Sequence, residues 1–405
     1  MVMEGIKRRY QYVGIAMAEL IRSDIRHISN AANNEDSYRV LRGRVSVLKI
    51  APDARFMPYL ELAEFGSVAL IRSSDLRFDL LSALVERWRP ETHTFHFPCG
   101  ECTVTLEDVA VQLGLSVDGN PVTGLSSLTD PAAGTTHARC KRRRCAFVDL
   151  PRCRFVHARS YSWGSAILAM LYKELCQATD PQCKDIGGCL ILLQSWALYR
   201  MPFLARVSHQ PYLYPLSLRW TTRPGIGKSC DVPIYRMRIE QHAREGFIWM
   251  PYRRPEITNV VPPSALVDSH TWCTNTPIIN FNIVEWYNGD RVLRQFGCIQ
   301  HIPDPPCQLG DDHGLTKRGR VQLDWGIYHW KYVALWYDRL RRIPQIVMAT
   351  DLQPSAQYIE WYHSRGKPYL LGARTFSKLG DRKQTARWIR IRRHIVLRNR
   401  QSPNS

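Results

Sequence analysis

Residues 94–114 carry two local patterns back to back, and together they constrain the fold more than any other stretch. Thr94-Phe95-His96-Phe97 and Glu101-Cys102-Thr103-Val104 flank Pro98-Cys99-Gly100. Alternation on either side of a Pro/Gly turn predicts a short β-hairpin. Thr105 then stands three residues ahead of Asp108, the spacing of a reciprocal helix cap. Leu106, Val109, Ala110 and Leu113 follow at helical steps, and Gly114 falls where a left-handed terminating residue belongs.

The same reading extends along the chain. Leu76, Leu80, Leu81, Leu84, Val85 and Trp88 predict a helix, with Ser73, Ser74 or Asp75 as its cap and Pro90 as its stop. Helices are expected at 162–177, 187–199, 324–340 and 356–363, and two short ones at 283–287 and 291–296 around Asn288-Gly289. Pro202, Pro211, Pro215, Pro224 and Pro233 cut the intervening stretch into short pieces. Residues 116–160 read as an atypical loop. There is no internal repeat. The expected class is mainly α with a small β-hairpin, an irregular multi-helix globular domain over 56–370. A poorly ordered segment (1–55) precedes it and a basic tail (371–405) follows.

Of 405 residues, 45% are hydrophobic and 22% charged, a globular composition. Twelve Trp and eighteen Tyr supply ample apolar area for a core. The formal charge of +19 favours polyanionic partners, chiefly nucleic acid. Lys7, Arg8 and Arg9 lead into no sustained apolar run, so no secretory signal is expected. The apolar runs at 163–172 and 187–199 fall short of the roughly 20 residues a bilayer span requires, so no membrane association is expected. The twelve cysteines then read as reduced interior thiols.

Chemistry is sparse. His93-x2-His96-x2-Cys99-x2-Cys102 has zinc-ligand residue types. Pleating of the hairpin sends His93 and His96 to opposite faces, so no metal is assigned. Cys140, Cys145, Cys153 and His157 fit no standard finger. Arg223-Pro224-Gly225-Ile226-Gly227-Lys228-Ser229 resembles a phosphate loop, but Thr222 replaces its first glycine. No lysine stands out as a Schiff-base former and no G-x-S-x-G elbow occurs, so no cofactor, catalytic residue or small-molecule substrate is assigned. Glu107-Asp108 and Asp311-Asp312 are adjacent acids. A nuclease would require Glu101, Asp108, Asp304, Asp311 and Asp312 to converge on metal ions.

The block at 84–115 resembles the signature of the plant mobile domain family, also called aminotransferase-like. Its matching residues are Trp88, Arg89, Pro90, Glu91, Thr92, His93, Gly100, Glu101, Thr105, Leu106, Asp108, Val109 and Gly114. Trp163 and Gly164 lie in a second resembling block, and Gln194 and Trp196 in a third that runs on through Arg200. Arg291-Val292-Leu293-Arg294-Gln295-Phe296-Gly297 and Tyr358 with Trp361-Tyr362 match further ones. The blocks recur in order over roughly 56–370, while 125–160 departs from the family pattern.

The resemblance implies a non-catalytic nuclear protein of transposon origin. Its maintenance-of-meristems-like branch implies roles in meristem maintenance, genome integrity and gene or transposon silencing. The competing reading is a degenerate mobile-element enzyme of nuclease or transposase type. Lys141, Arg142, Arg143 and Arg144, and Arg387, Arg390, Arg392 and Arg393 in the tail, are the expected nucleic-acid or nuclear-localisation contacts. Nuclear protein partners are expected as well.

Overall fold

The computed structural model describes residues 20–22, 26–31, 38–44, 52–71, 75–124, 158–205, 210–220, 230–315 and 323–370. Both basic clusters, the phosphate-loop-like stretch, Ser73, Ser74 and the Cys140, Cys145, Cys153 and His157 group lie outside these residues.

Helix α1 (Phe78–Val85) buries Leu80, Leu81, Ala83, Leu84 and Val85. It is shorter than its apolar spacing predicts. The chain leaves the helix at Glu86, and Trp88–Arg89 becomes strand β2 of a three-stranded antiparallel sheet. Pairing wins there because Trp88 lies opposite Phe95 and stacks edge-on against it, with ring centroids 4.8 Å apart. Pro90 therefore follows a strand, not a helix. Nor does Asp75 cap α1: Arg77 holds the cap position, and its N–H donates to Gln194 Oε1 at 2.7 Å.

Strands β3 (Thr94–Phe97) and β4 (Gly100–Cys102) form the expected hairpin, with His96 opposite Glu101. Helix α2 (Leu106–Leu113) carries the full reciprocal cap between Thr105 and Asp108, and Gly114 closes it at φ 70°.

Helices α3 (Trp163–Ala178) and α4 (Leu190–Arg200) stand close to their expected places. Helix α5 (Val232–Gly246) was hidden by the proline count. Pro233 lies in its first turn, where a missing N–H costs nothing.

The largest departure follows. Residues 283–287 are not a helix: Ile283–Asn288 pairs antiparallel with Asn275–Asn280 in full register, Asn275 opposite Asn288 and Asn280 opposite Ile283. Val284, Trp286 and Tyr287 are residues that favour a pleated surface. Every residue of the later strand is buried, which erases the polar alternation that would have marked it. These strands are β6 and β7, numbered after two short parallel ones, β1 (Arg42–Gly43) and β5 (Asp185–Ile186). Gly289–Phe296 continues as a kinked 3₁₀ segment.

The helix expected over 324–340 is broken at His329 into Trp325–Tyr328, α6 (Trp330–Tyr337) and a 3₁₀ turn, Arg339–Arg342. Helix α7 (Ala356–Arg365) starts from a Ser355 cap.

The architecture is mainly α with small antiparallel sheets. One apolar cluster unites α1–α6 with both antiparallel sheets. At its centre Phe95 stacks on Trp196 at 5.0 Å, and Trp88 meets Tyr172 edge-on at 5.1 Å. Among the described residues no helix is long and apolar enough to cross a membrane. Cysteine burial is mixed: Cys99, Cys102, Cys176, Cys273 and Cys298 are interior, whereas Cys183, Cys189 and Cys230 are half-buried and Cys307 is exposed.

Candidate functional site

The residues that carry the motif turn inward. Asp108 holds the α2 cap through Oδ2 and, through Oδ1, accepts from Arg200 at 2.9 Å and from the Tyr252 hydroxyl at 2.6 Å. Glu101 accepts from Thr94 Oγ1 at 3.0 Å and from Arg291 Nε at 3.2 Å. Burial alone would raise the Glu101 carboxyl, but Arg291 and His96 bring it below its usual value.

Arg89 donates to Ser29 Oγ at 3.1 Å, Glu91 accepts from the Arg22 N–H at 3.0 Å, and Thr92 pairs with Thr94 at 2.7 Å. Gln194 Nε2 donates to the Asp75 carbonyl at 3.1 Å, tying α4 to the approach of α1. Trp88, Trp196, Leu106 and Val109 are core. Half-buried Trp163 donates to the Ala158 carbonyl at 2.7 Å. Gly164 is pressed so close that an added Cβ would lie 2.7 Å from the Ser116 carbonyl oxygen. Gly100 has φ 132°, open to glycine.

The acids named for a nuclease do not gather, the side chain of Asp311 lying outside the described residues. Asp108 faces Arg200, Glu101 faces Arg291, and Asp312 faces Lys331 and Tyr332, each on separate elements. Among the described residues Asp304 has no such cation; its carbonyl accepts from Arg291 at 3.4 Å, and its N–H donates to Asp290. The four hairpin His/Cys residues do not converge either. His96 contacts Glu101 at 3.6 Å and accepts from the Lys367 N–H at 3.1 Å. Cys99 and Cys102 face each other near Arg294. His93 departs for a reason other than pleating: it precedes β3, in the left-handed region at φ 52°.

That conformation delivers His93 to a second group, which residue spacing does not reveal. His93 Nε2 lies 3.0 Å from Glu285 Oε2 on β7, and His313 Nδ1 lies 3.0 Å from the same oxygen. Cys176, in the last turn of α3, completes the set; its sulfur accepts the Trp88 indole N–H at 3.2 Å. One donor atom each from His93, Cys176 and Glu285 lie within 4.8 Å of one another. His93, Cys176 and Glu285 are buried, and His313, in the 3₁₀ turn Gly310–Gly314, is partly exposed.

The charges are mutually adjusted. Burial works against protonating His93, yet Cys176 and Glu285 lift it well above an ordinary imidazole. Burial likewise works against the anions, yet the two imidazoles hold Cys176 and Glu285 below their usual values. Separations of 83, 109 and 28 residues match no known ligand spacing, so only the tertiary fold exposes the group.

Two open clefts lie elsewhere. One, of about 470 Å³, is lined by Asn275, Asp290, Asp304, Arg341 and Arg342; another, of about 360 Å³, is lined by Leu76, Ile167, Met170 and Leu190. Neither reaches Cys176.

A model of the plant mobile domain family matches residues 65–150 and 146–363. Among curated proteins of Arabidopsis thaliana, the chain is 30% identical over 411 residues to Protein MAINTENANCE OF MERISTEMS, covering 85% of this chain and 82% of that protein. It is 31% identical over 303 residues to Protein MAIN-LIKE 1, covering 60% and 58%. It is also 32% identical over 376 residues to a serine/threonine-protein phosphatase 7 long form homolog, covering 75% of this chain but only 28% of that protein. No solved structure matches.

Proposed function

The chain belongs to the plant mobile domain family, and on that premise we propose that it is a non-catalytic nuclear protein of mobile-element origin. Its role on this reading is to hold nucleic acid or nuclear partners in the service of meristem maintenance, genome integrity and silencing of genes or transposons. The observation that carries the reading is the inward use of the motif. Arg89, Glu101, Asp108, Gln194 and Trp196 are buried and hold the fold together. An enzyme needs some polar side chains aimed into a pocket; these brace helices and sheets.

The outward features support contact with partners. The net charge of +19 attracts polyanions. In the segment 325–348, Ile327, Trp330, Tyr337 and Met348 are exposed beside Lys331, Arg341 and Arg342, a mix suited to stacking and phosphate contact or to a protein surface.

Affinity purification of the tagged full chain from fractionated plant cells, with and without nuclease, tests the reading. Recovery in the nuclear fraction with a defined set of chromatin or RNA-associated partners is expected. Exclusion from nuclei would overturn the nuclear role. Metal-dependent cleavage of DNA or RNA by the purified chain would favour the degenerate-enzyme alternative.

A further inference from the structure

We propose that His93, Cys176, Glu285 and His313 form a zinc site that fastens four distant parts of the chain. The His93 ring has a fixed tautomer. Its Nδ1 lies 2.8 Å from the Trp286 carbonyl, which only accepts, so Nδ1 carries the proton. In the neutral ring, Nε2 is then a bare lone pair, held 3.0 Å from a carboxylate oxygen. Two lone pairs at that separation repel unless a proton or a cation lies between them.

In the metal-free chain a proton takes that place, consistent with the raised His93, but the approach of the two groups is poorly suited to one. An imidazolium N–H bonded to a carboxylate is close to linear. Yet His93 Nε2 and both Glu285 oxygens are buried with no aligned hydrogen bond among the described residues. Close but off-axis approach is what ligands show when their lone pairs aim at a shared third point.

The surroundings have the form of a metal centre. A histidine ligand usually donates its other N–H to a carbonyl or carboxylate, which fixes the ring; the Trp286 carbonyl does so for His93. The Trp88 indole N–H reaches the Cys176 sulfur, a contact that steadies a thiolate. Two imidazole nitrogens, one thiolate and one carboxylate form a donor set that suits Zn²⁺. The charges balance as well: one thiolate and one carboxylate against a divalent ion leave the buried site neutral.

Elsewhere in the interior Glu86, Glu101, Asp108 and Glu240 each face an arginine, whereas the ion-pair partners of Glu285 are the two histidines. With Zn–S near 2.3 Å and Zn–N near 2.0 Å, shifts on the order of 1 Å bring the donors onto one ion. Three donors already converge, and His313, 3.0 Å from Glu285 Oε2, is the proposed fourth; with it in place no position is left for substrate and the site is structural. It joins the β2–β3 turn, the end of α3, strand β7 and the 310–314 turn.

The test is metal content of the full chain purified without chelator, followed by replacement with Co²⁺. One zinc per chain is expected. The cobalt form should show a thiolate charge-transfer band with tetrahedral d–d absorption. Cys176→Ala should lose the band, and Cys99→Ala/Cys102→Ala should keep it. Because Cys176→Ala removes a buried group, the partly exposed ligand His313 provides a second arm. His313→Ala should stay folded and release zinc to a chromogenic chelator faster by more than the roughly 10–100-fold typical of outer-shell changes. A folded wild-type chain that purifies metal-free and gives no cobalt–thiolate band overturns the proposal. So does zinc whose release is unchanged in His313→Ala, or a cobalt band that survives in folded Cys176→Ala.

Discussion

His27 shows how far the interior dictates the state of one side chain. Its Nε2 lies 2.8 Å from the Trp88 carbonyl and its Nδ1 2.8 Å from Ser29 Oγ. Burial, with Arg89, Lys367 and His96 as positive neighbours, pushes its pKa down from 6.5 to about 3. Between those values the unfolded chain binds a proton that the folded chain refuses, so stability must fall as pH falls. The loss from this group is about 2 kcal/mol between pH 7 and pH 5. Glu107, raised by burial to about 7, and Asp290, raised to about 6, act in the opposite sense, gaining stability over the same range. Comparing denaturation midpoints of wild type and His27→Gln across that range isolates the term: the variant should show the shallower acid loss, and parallel curves would contradict it. Gly164 makes a second prediction. Gly164→Ala should destabilise the fold, because the backbone oxygen of Ser116 would lie 2.7 Å from the new carbon and cannot rotate away. Chemical denaturation should register at least about 1 kcal/mol, the usual scale of overpacking.

Elements differ in how much of them the sequence reveals, and the difference has physical causes. Helix α2 was legible in every detail, because its cap, stripe and terminal glycine are local signals. Thr105→Ala should therefore cost about 1 kcal/mol, and Gly114→Ala about 1–2 kcal/mol, since φ 70° penalises any side chain. Thermal melts of the two variants check both. The hairpin β3–β4 was equally plain. Strand β7 was not: it is buried on both faces, with Glu285 interior among Val284, Trp286 and Tyr287, so its sequence shows no period of two. Trp88 misled in the other direction, extending a helical stripe into a residue that cross-strand pairing with Phe95 claims. Helix α5 hid behind Pro233, whose place in the first turn is compatible with a helix start. The candidate site was the least legible. Its ligands come from a turn, a helix end, a strand and a 3₁₀ segment, and chain spacing says nothing about such convergence. Only the left-handed φ of His93 links its position in the motif to the site.

At the scale of the whole molecule, the interior is unusually charged for its depth. Glu86–Arg236, Arg87–Glu240, Asp108–Arg200 and Glu101–Arg291 are all interior pairs that bridge distant segments. Such pairs add little net stability, but breaking one leaves an uncompensated buried charge, at about 3–5 kcal/mol. They therefore enforce one arrangement of the elements more than they strengthen it. The chain as a whole carries a formal net charge of +19, which favours polyanionic partners. Binding of duplex DNA or RNA by the full chain should weaken steeply as salt rises, in proportion to the phosphates contacted; fluorescence anisotropy over a salt series measures the slope, and a flat one would remove nucleic acid from the account. The central claim is that the motif serves the fold and not a reaction. The most direct measurement separates those roles at one pair, with unfolding and the nuclear partner set read on the same variants. Arg200→Met alone should lose about 3–5 kcal/mol. Arg200→Met/Asp108→Asn, which keeps an oxygen for the α2 cap and removes the stranded charge, should recover much of that loss and bring back the wild-type partners. A double variant that regains stability yet remains without those partners would contradict the claim.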